Sequence, residues 1–222
     1  MWCIPQVSTE FVVCMEDVLD LYEAPYDPRR PVVCFDEMPK QLVAESRPGL
    51  PAAPGQVARY DYEYERNGVR NLWMFFEPLA ARRHTRISLR RTKQDWAYAM
   101  QWLVDALYPE AEVIRLVLDN LNTHVVSPLY ETFEPAEANR IRKRLELHYT
   151  PKHGSWLNMA EIELSVFSRQ AWVGYIPDEA TLQRRVTALE QERNANHSTA
   201  NWQFTTQHAR VKLHRLYPSI SR

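Results

Sequence analysis

Two short segments constrain the fold more than any other feature of the chain. Pro31-Val-Val-Cys-Phe-Asp36 and Val113-Ile-Arg-Leu-Val-Leu-Asp119 are β-branched, nearly continuous apolar runs. That is the pattern of strands covered on both faces, not of strands with one wet side. Between them, Thr92 and Asp95 carry a capping-box signature, and Trp96, Ala99, Met100, Leu103 and Leu107 recur at helical spacing up to Tyr108-Pro109. Two buried strands joined through a helix form a parallel pair inside a mixed sheet, which places the chain in the α/β class.

The rest of the chain supplies the flanking elements. Residues 9–23 set Phe11, Met15, Val18, Leu19 and Tyr22 at helical spacing, and Pro25, Pro28 and Pro31 end that helix. Residues 47–55, with three prolines and two glycines, read as a loop. Arg59 to Glu65 alternates, Asn67-Gly68 has the composition of a hairpin turn, and Val69 to Phe76 returns, so a β-hairpin is expected here. A third strand is expected at Arg83 to Arg90, a polar helix at 135–144 and a last strand at Leu145 to Tyr149. Pro151 to Trp156 forms a loop before a helix of about 15 residues from Leu157. Two more helices are expected over 178–193 and 205–216. The organisation is a helical lead-in (1–30), an α/β core (31–176) and a helical extension (177–222).

A length of 222 residues with 45% apolar content allows one large domain with a substantial core. No apolar run is long enough to span a bilayer, and Met1 to Glu10 lacks the pattern of a secretory signal, so a cytoplasmic protein is expected. Cys3, Cys14 and Cys34 are odd in number and lack metal-ligand spacing, and Cys34 reads as a small core residue. Trp96, Trp102, Trp156 and Trp172 read as core. A net charge of −1 argues against nucleic acid only as a total. Arg82, Arg83, Arg86, Arg90 and Arg91 form one basic cluster, and Arg140, Arg142, Lys143 and Arg144 another on the polar helix, where a solvated face is the simpler reading.

Each buried strand delivers a carboxylate at its C-terminal edge, where ligands gather in open α/β sheets. Either Asp alone is equally an ordinary turn residue. Placed alike on neighbouring strands, Asp36 and Asp119 repel unless a cation lies between them, and hard oxygen ligands select Mg²⁺ or Mn²⁺. A third carboxylate comes from the helix whose apolar stripe is Leu157, Ala160, Leu164, Phe167 and Ala171. Glu161 and Glu163 flank that stripe about 160° apart at 100° per residue, and periodicity leaves open which of them faces the aspartates.

FDE at 35–37, LVLDNLNTH at 116–124 and HYTPKHGSWLNMAEIELSVFSRQ at 148–170 closely resemble the DDE transposases of bacterial insertion sequences related to the mariner superfamily. More narrowly they resemble the insertion-sequence family numbered six hundred and thirty. YDYEYERNG at 60–68, MFFEPLA at 74–80 and NWQFTT at 201–206 extend the likeness over nearly the whole chain. The resemblance implies a ribonuclease-H-like fold, a five-stranded mixed sheet flanked by helices. It assigns catalysis and metal binding to Asp36, Asp119 and Glu161, leaves Glu163 a neighbour, and implies two Mg²⁺ or Mn²⁺ ions. The implied reaction is hydrolysis at transposon ends followed by attack of the freed 3′-hydroxyl on target DNA.

Arg83, Arg86, Arg90, Lys152 and His153 are then candidates for DNA-backbone contact, and Asn120, Asn122 and His124 for orienting Asp119. The resemblance further implies DNA ends and target DNA as partners, a homodimer, and a place at the bacterial nucleoid. Such transposases carry helix-turn-helix domains ahead of the core, whereas 35 residues precede Asp36, so the chain reads as the catalytic half alone: either a truncated or split reading frame, or a chain whose end recognition another chain supplies. The 41 residues between Asp119 and Glu161 exceed the separation common among mariner relatives and accommodate the helical segment at 127–144. Two other readings share these residues: a ribonuclease-H-like nuclease without strand transfer, and an inactive DNA-binding remnant. The presence of all three carboxylates disfavours the second.

Overall fold

The computed structural model describes residues 9–47, 49–59, 62–121 and 124–218. Five strands form one mixed sheet: β1 (Val32–Glu45), β2 (Tyr64–Glu77), β3 (Arg82–Ser88), β4 (Ile114–Leu118) and β5 (Leu145–Tyr149). Their spatial order is β3-β2-β1-β4-β5. β1–β2 and β2–β3 pair antiparallel, while β1–β4 and β4–β5 pair parallel. This is the five-stranded mixed sheet flanked by helices implied by the sequence resemblance.

The alternation of β1 explains why its first four residues are all apolar. Val32 and Cys34 enter the core under α1 (Thr9–Glu23), α5 (Met159–Gln170) and α6 (Glu179–Ala195). Val33 and Phe35 enter the opposite core, under α2 (Lys93–Trp102), its π-helical continuation Leu103–Leu107, α3 (Ser127–Thr132) and α4 (Pro135–Lys143). α2 starts as expected: the Thr92 side chain accepts from the Asp95 N–H at 3.2 Å, and the Asp95 carboxylate accepts from the Thr92 N–H at 2.7 Å. α7 (Thr206–Lys212) lies against α1, with Arg210 bonded to Glu16 at 2.9 Å and Thr206 Oγ1 donating to Asp20 at 2.6 Å. Among the described residues, no helix is long and apolar enough to cross a membrane.

The expected hairpin turn at Asn67-Gly68 is not a turn. β2 runs through it without reversing, and the reversal between β1 and β2 lies between Glu45 and Tyr64. Gln41 faces Val69 and Val43 faces Arg66, so β2 carries one extra residue there. That is a β-bulge, and Gly68, at φ +87°, supplies the left-handed backbone it requires. Asn-Gly satisfies the same dihedral demand in a bulge as in a tight turn, and local composition cannot separate the two. Asn67 is held in place by donating from Nδ2 to the Pro177 carbonyl at 3.0 Å.

Candidate active site

β1 pairs with β4 only over Val32–Cys34, and β4 ends at Leu118. Asp36 and Asp119 therefore lie just beyond the C-terminal limit of the parallel pair, Asp36 directly after the buried run Val32–Phe35 and Asp119 directly after Leu118. The Leu118 carbonyl accepts from the Thr150 N–H at 2.9 Å, which closes the end of β4 against β5.

Glu161 is brought to the same end by Asn158. This residue is almost wholly buried and caps α5, its Oδ1 accepting from the Ala160 N–H at 3.1 Å. Its Nδ2 donates to the Phe35 carbonyl at 2.8 Å. One amide thus starts the helix and ties it to the residue preceding Asp36. The loop ahead of it is tight. Gly154 donates to the Pro151 carbonyl at 2.7 Å, and a Cβ on Gly154 would stand 2.5 Å from Pro151 Cγ. Asn158→Ala removes the cap and leaves a buried carbonyl without a donor. A loss of about 2–3 kcal/mol in urea unfolding is expected. Asn158→Asp keeps the acceptor but not the donor, and falls between the two.

The electrostatics of this end are those of crowded like charges. Burial, opposed by the Glu37 N–H donating to Oδ1 at 2.8 Å and reinforced by Glu37, Glu161 and Asp119, pushes Asp36 up to about 7. Burial and the charge of Asp119 raise Glu161 as well, against a bond from Ser155. Two residues further along α5, Glu163 turns the other way, into the protein. α5 itself begins at Met159, two residues later than periodicity suggests, because Ser155–Leu157 forms a separate 3-10 turn.

Among the described residues, no three His, Cys, Asp or Glu side chains converge closely enough to hold an ion as they stand. The chemistry of the donors nonetheless fits one. Asp36, Asp119 and Glu161 all offer hard oxygen donors, and burial first, with their mutual repulsion added to it, raises the proton affinity of Asp36 and Glu161.

A group that the sequence reading left out adjoins them. Glu37 points to the opposite face of β1 from Asp36, with its side chain only 5% exposed. Its Oε2 lies 3.2 Å from Nε2 of the buried His124, whose Nδ1 makes a close contact with Asp119. Phe35 meets the His124 ring edge-on at 5.3 Å, and Trp96 stacks on it at 6.4 Å. Burial pulls the imidazole down, but the bonds to Asp119 and Glu37 outweigh it and carry it to about 9. At neutral pH His124 is therefore a cation held between two carboxylates. Arg91 adds a second cation 3.8 Å from Glu37. The signal for Glu37 was its place directly after Asp36, where strand alternation sends it to the far side of the sheet.

The remaining candidates separate. Asn120 is exposed, and Asn122 lies outside the described residues. Arg86, Arg90, Lys152 and His153 are exposed, the last with a left-handed backbone at φ 64°. Arg83 is a correction: it is fully buried and unavailable to DNA. Its Nε lies 2.9 Å from Glu163 Oε2, its Nη1 donates to Asn194 at 3.2 Å, and its guanidinium packs 4.9 Å from the centre of the Phe76 ring. Arg193 on α6 binds the same Glu163 with two bonds of 2.9 and 2.8 Å. The two arginines enclose one carboxylate where α6 crosses β3 and α5. In the second basic cluster, Arg140 is taken up by Asp105 and Glu137.

Comparison with known proteins agrees with this arrangement. Residues 31–183 match the family described as DDE superfamily endonuclease. Among solved structures, the crystal structure of the Mos1 mariner paired end complex with Mn is similar at a TM-score of 0.58 and 13% identity. That match covers 89% of this chain and 61% of that one. The crystal structure of the mariner Mos1 paired end complex with Mg is similar at a TM-score of 0.53 and 13% identity, covering 91% of this chain and 66% of that one. The chain thus spans less than two thirds of either Mos1 chain, and at that identity the likeness establishes the ribonuclease-H-like fold. No curated protein matches. The family match takes in all five strands, the Asn158 anchor and all three carboxylates, over more than half of the chain, which therefore belongs to the DDE superfamily endonucleases.

Proposed function

We propose that the chain is the catalytic domain of a DNA transposase that cuts transposon ends and joins the freed 3′-hydroxyl to target DNA. The observation that carries this reading is that Asp36 feels the charges of Asp119 and of the Asn158-anchored Glu161 at one sheet end, within a chain of the DDE endonuclease family. Likeness to transposase structures solved as paired-end complexes with Mn and with Mg supports DNA as substrate and a divalent ion as cofactor. Asp36, Asp119 and Glu161 would hold Mg²⁺ or Mn²⁺, two ions in the full arrangement. Bound there, the ions lower the pKa of an attacking water or hydroxyl and stabilise the leaving oxygen.

The protein's own part is to set the ligands. β1 and β4 fix two carboxylates on rigid elements, Asn158 fixes the third, and His124 holds Asp119 from behind. The exposed Arg86, Arg90, Arg91, Lys152 and His153 lie on elements bordering this end and are placed to meet phosphates. The narrower assignment to the insertion-sequence family numbered six hundred and thirty rests on the sequence motifs. A homodimer, with helix-turn-helix modules in the same or a separate polypeptide for end recognition, completes the reading.

Incubation with transposon-end duplexes and a target plasmid in Mg²⁺ or Mn²⁺ tests it. Cleavage followed by joined products is expected, whereas cleavage without joining identifies a nuclease of the same fold. Metal binding has its own readout. Because ions engage the folded site, Mg²⁺ raises the melting temperature, corresponding to about 2.7 kcal/mol at one hundred times its Kd. Asp36→Asn removes that rise.

A further inference from the structure

Beyond Cys34, β1 leaves β4 behind, and its second half borders an open cleft of about 630 Å³. Three pieces of chain build the cleft. The middle of β1 contributes Lys40, the segment leading into the bulge of β2 contributes Tyr62, Tyr64 and Arg66, and the turn before α6 contributes Gly174 and Tyr175.

The last piece is firmly held. The Val43 N–H donates to the Ile176 carbonyl at 2.8 Å, and Arg185 donates to the Val173 carbonyl at 2.6 Å and to the Tyr175 carbonyl at 3.4 Å. Gly174, at φ +69°, makes the turn. Lys40 is steadied 5.0 Å over the Trp172 ring.

The chemistry of the lining is one-sided. Tyr62, Tyr64 and Tyr175 are 89%, 48% and 38% exposed, far more than tyrosines that pack a core. Lys40 and Arg66 stand among them, and none of the described residues lining the cleft is a carboxylate. Exposed aromatic rings interleaved with cations form the surface on which unpaired bases stack while phosphates are neutralised. Along β1, Lys40 is four residues beyond Asp36, about 13 Å away, whereas Val43 and Glu45, which pair with Arg66 and Tyr64, present their side chains on the other face of the strand.

We propose that this cleft binds a single-stranded stretch of DNA. Lys40 and Arg66 contact the backbone, and Tyr62, Tyr64 and Tyr175 stack on bases. The inference rests on the proposed action on DNA and adds a site for an unpaired strand outside the carboxylate site.

Fluorescence anisotropy of the full chain in EDTA, where no strand is cut, tests it. The probes are a blunt duplex and the same duplex carrying a single-stranded overhang. Tyr62→Ala combined with Tyr175→Ala is expected to weaken binding of the overhang probe by roughly ten- to hundredfold and to leave the blunt duplex unchanged. Tyr62→Phe with Tyr175→Phe keeps the rings and restores wild-type binding. Arg66→Glu weakens the overhang probe and flattens its salt dependence. All the altered residues except Arg66 act through exposed rings, and circular dichroism verifies that each variant is folded.

Equal binding of the overhang probe by wild type and the alanine pair overturns the cleft assignment alone, provided that wild type cuts DNA in Mg²⁺. An equal loss on both probes overturns it too, since the cleft is then a duplex contact. If the alanine pair instead changes the sedimenting mass of the free protein, the cleft is a contact between copies and the assignment falls. Failure of the wild type to bind or cut any DNA removes the proposed function, and the cleft assignment with it.

Discussion

Asp36→Asn, Asp119→Asn and Glu161→Gln are each expected to lower metal-dependent DNA cleavage by roughly three orders of magnitude or more, because in the proposed site each side chain supplies an oxygen ligand to the charge that stabilises the reacting phosphate. The same substitutions leave the fold intact, and without metal Asp36→Asn strengthens it. Asp36 has a folded pKa of about 7, against an ordinary value of 3.8. The native state therefore binds that proton more tightly than the unfolded chain does. In EDTA, stability attributable to Asp36 is fully present below pH 3.8 and is lost as pH rises through about 7. Thermal melts across that window check the sign: wild type declines with pH more steeply than Asp36→Asn, and Mg²⁺ narrows the difference. A Glu161→Gln protein that cleaves at the wild-type rate removes Glu161 from the site.

Two residues along α5, Glu163→Gln gives the reverse result: a chain that loses stability first. On sequence alone this substitution reads as mild, since Glu163 was expected to be a mere neighbour of the site. In the structure its carboxylate is nearly inaccessible and receives both Arg83 and Arg193. Removing the charge leaves the buried Arg83 guanidinium without its counter-ion, at a cost of about 3–5 kcal/mol. For a chain of this size that lowers the melting temperature by roughly 10 °C or more. The double variant Arg83→Met, Glu163→Leu regains most of the loss, because no buried charge is stranded and Arg193 reaches water. Single-turnover cleavage at low temperature separates the two glutamates: Glu163→Gln retains activity per folded molecule, and Glu161→Gln has none at any temperature.

Elements whose cause is local were legible before the structure. The α1 limits follow from apolar spacing and the prolines after it, the start of α2 from its capping box, and the β1 and β4 cores from runs that need cover on both faces. Elements whose cause is tertiary were not. Arg82 and Arg83 look alike in a basic cluster, yet strand alternation sends one to water and the other beneath α6, where only a carboxylate from α5 makes burial tolerable. Glu161 and Glu163 flank their apolar stripe symmetrically, and only the tie from Asn158 to Phe35 orients the helix so that the first faces the aspartates. Glu37 passed unnoticed because its partner, His124, is far along the chain. The carboxylates themselves were placed by two strand ends and the family motif together.

The extra residue at Asn67-Gly68 has an effect on heredity as much as on geometry. Val69 and Arg66 are three positions apart yet face Gln41 and Val43, which are two apart, so the bulge reverses the phase in which β2 presents its side chains. Everything before it, Tyr64 and Arg66 included, is out of step with Leu72 and Met74 in the core. A single-codon deletion at 67 or 68 restores the step without touching a core residue. It swings the tyrosine and the arginine to the other side of the sheet, so one reading-frame-neutral event removes a wall of the cleft while the carboxylates stay where they are.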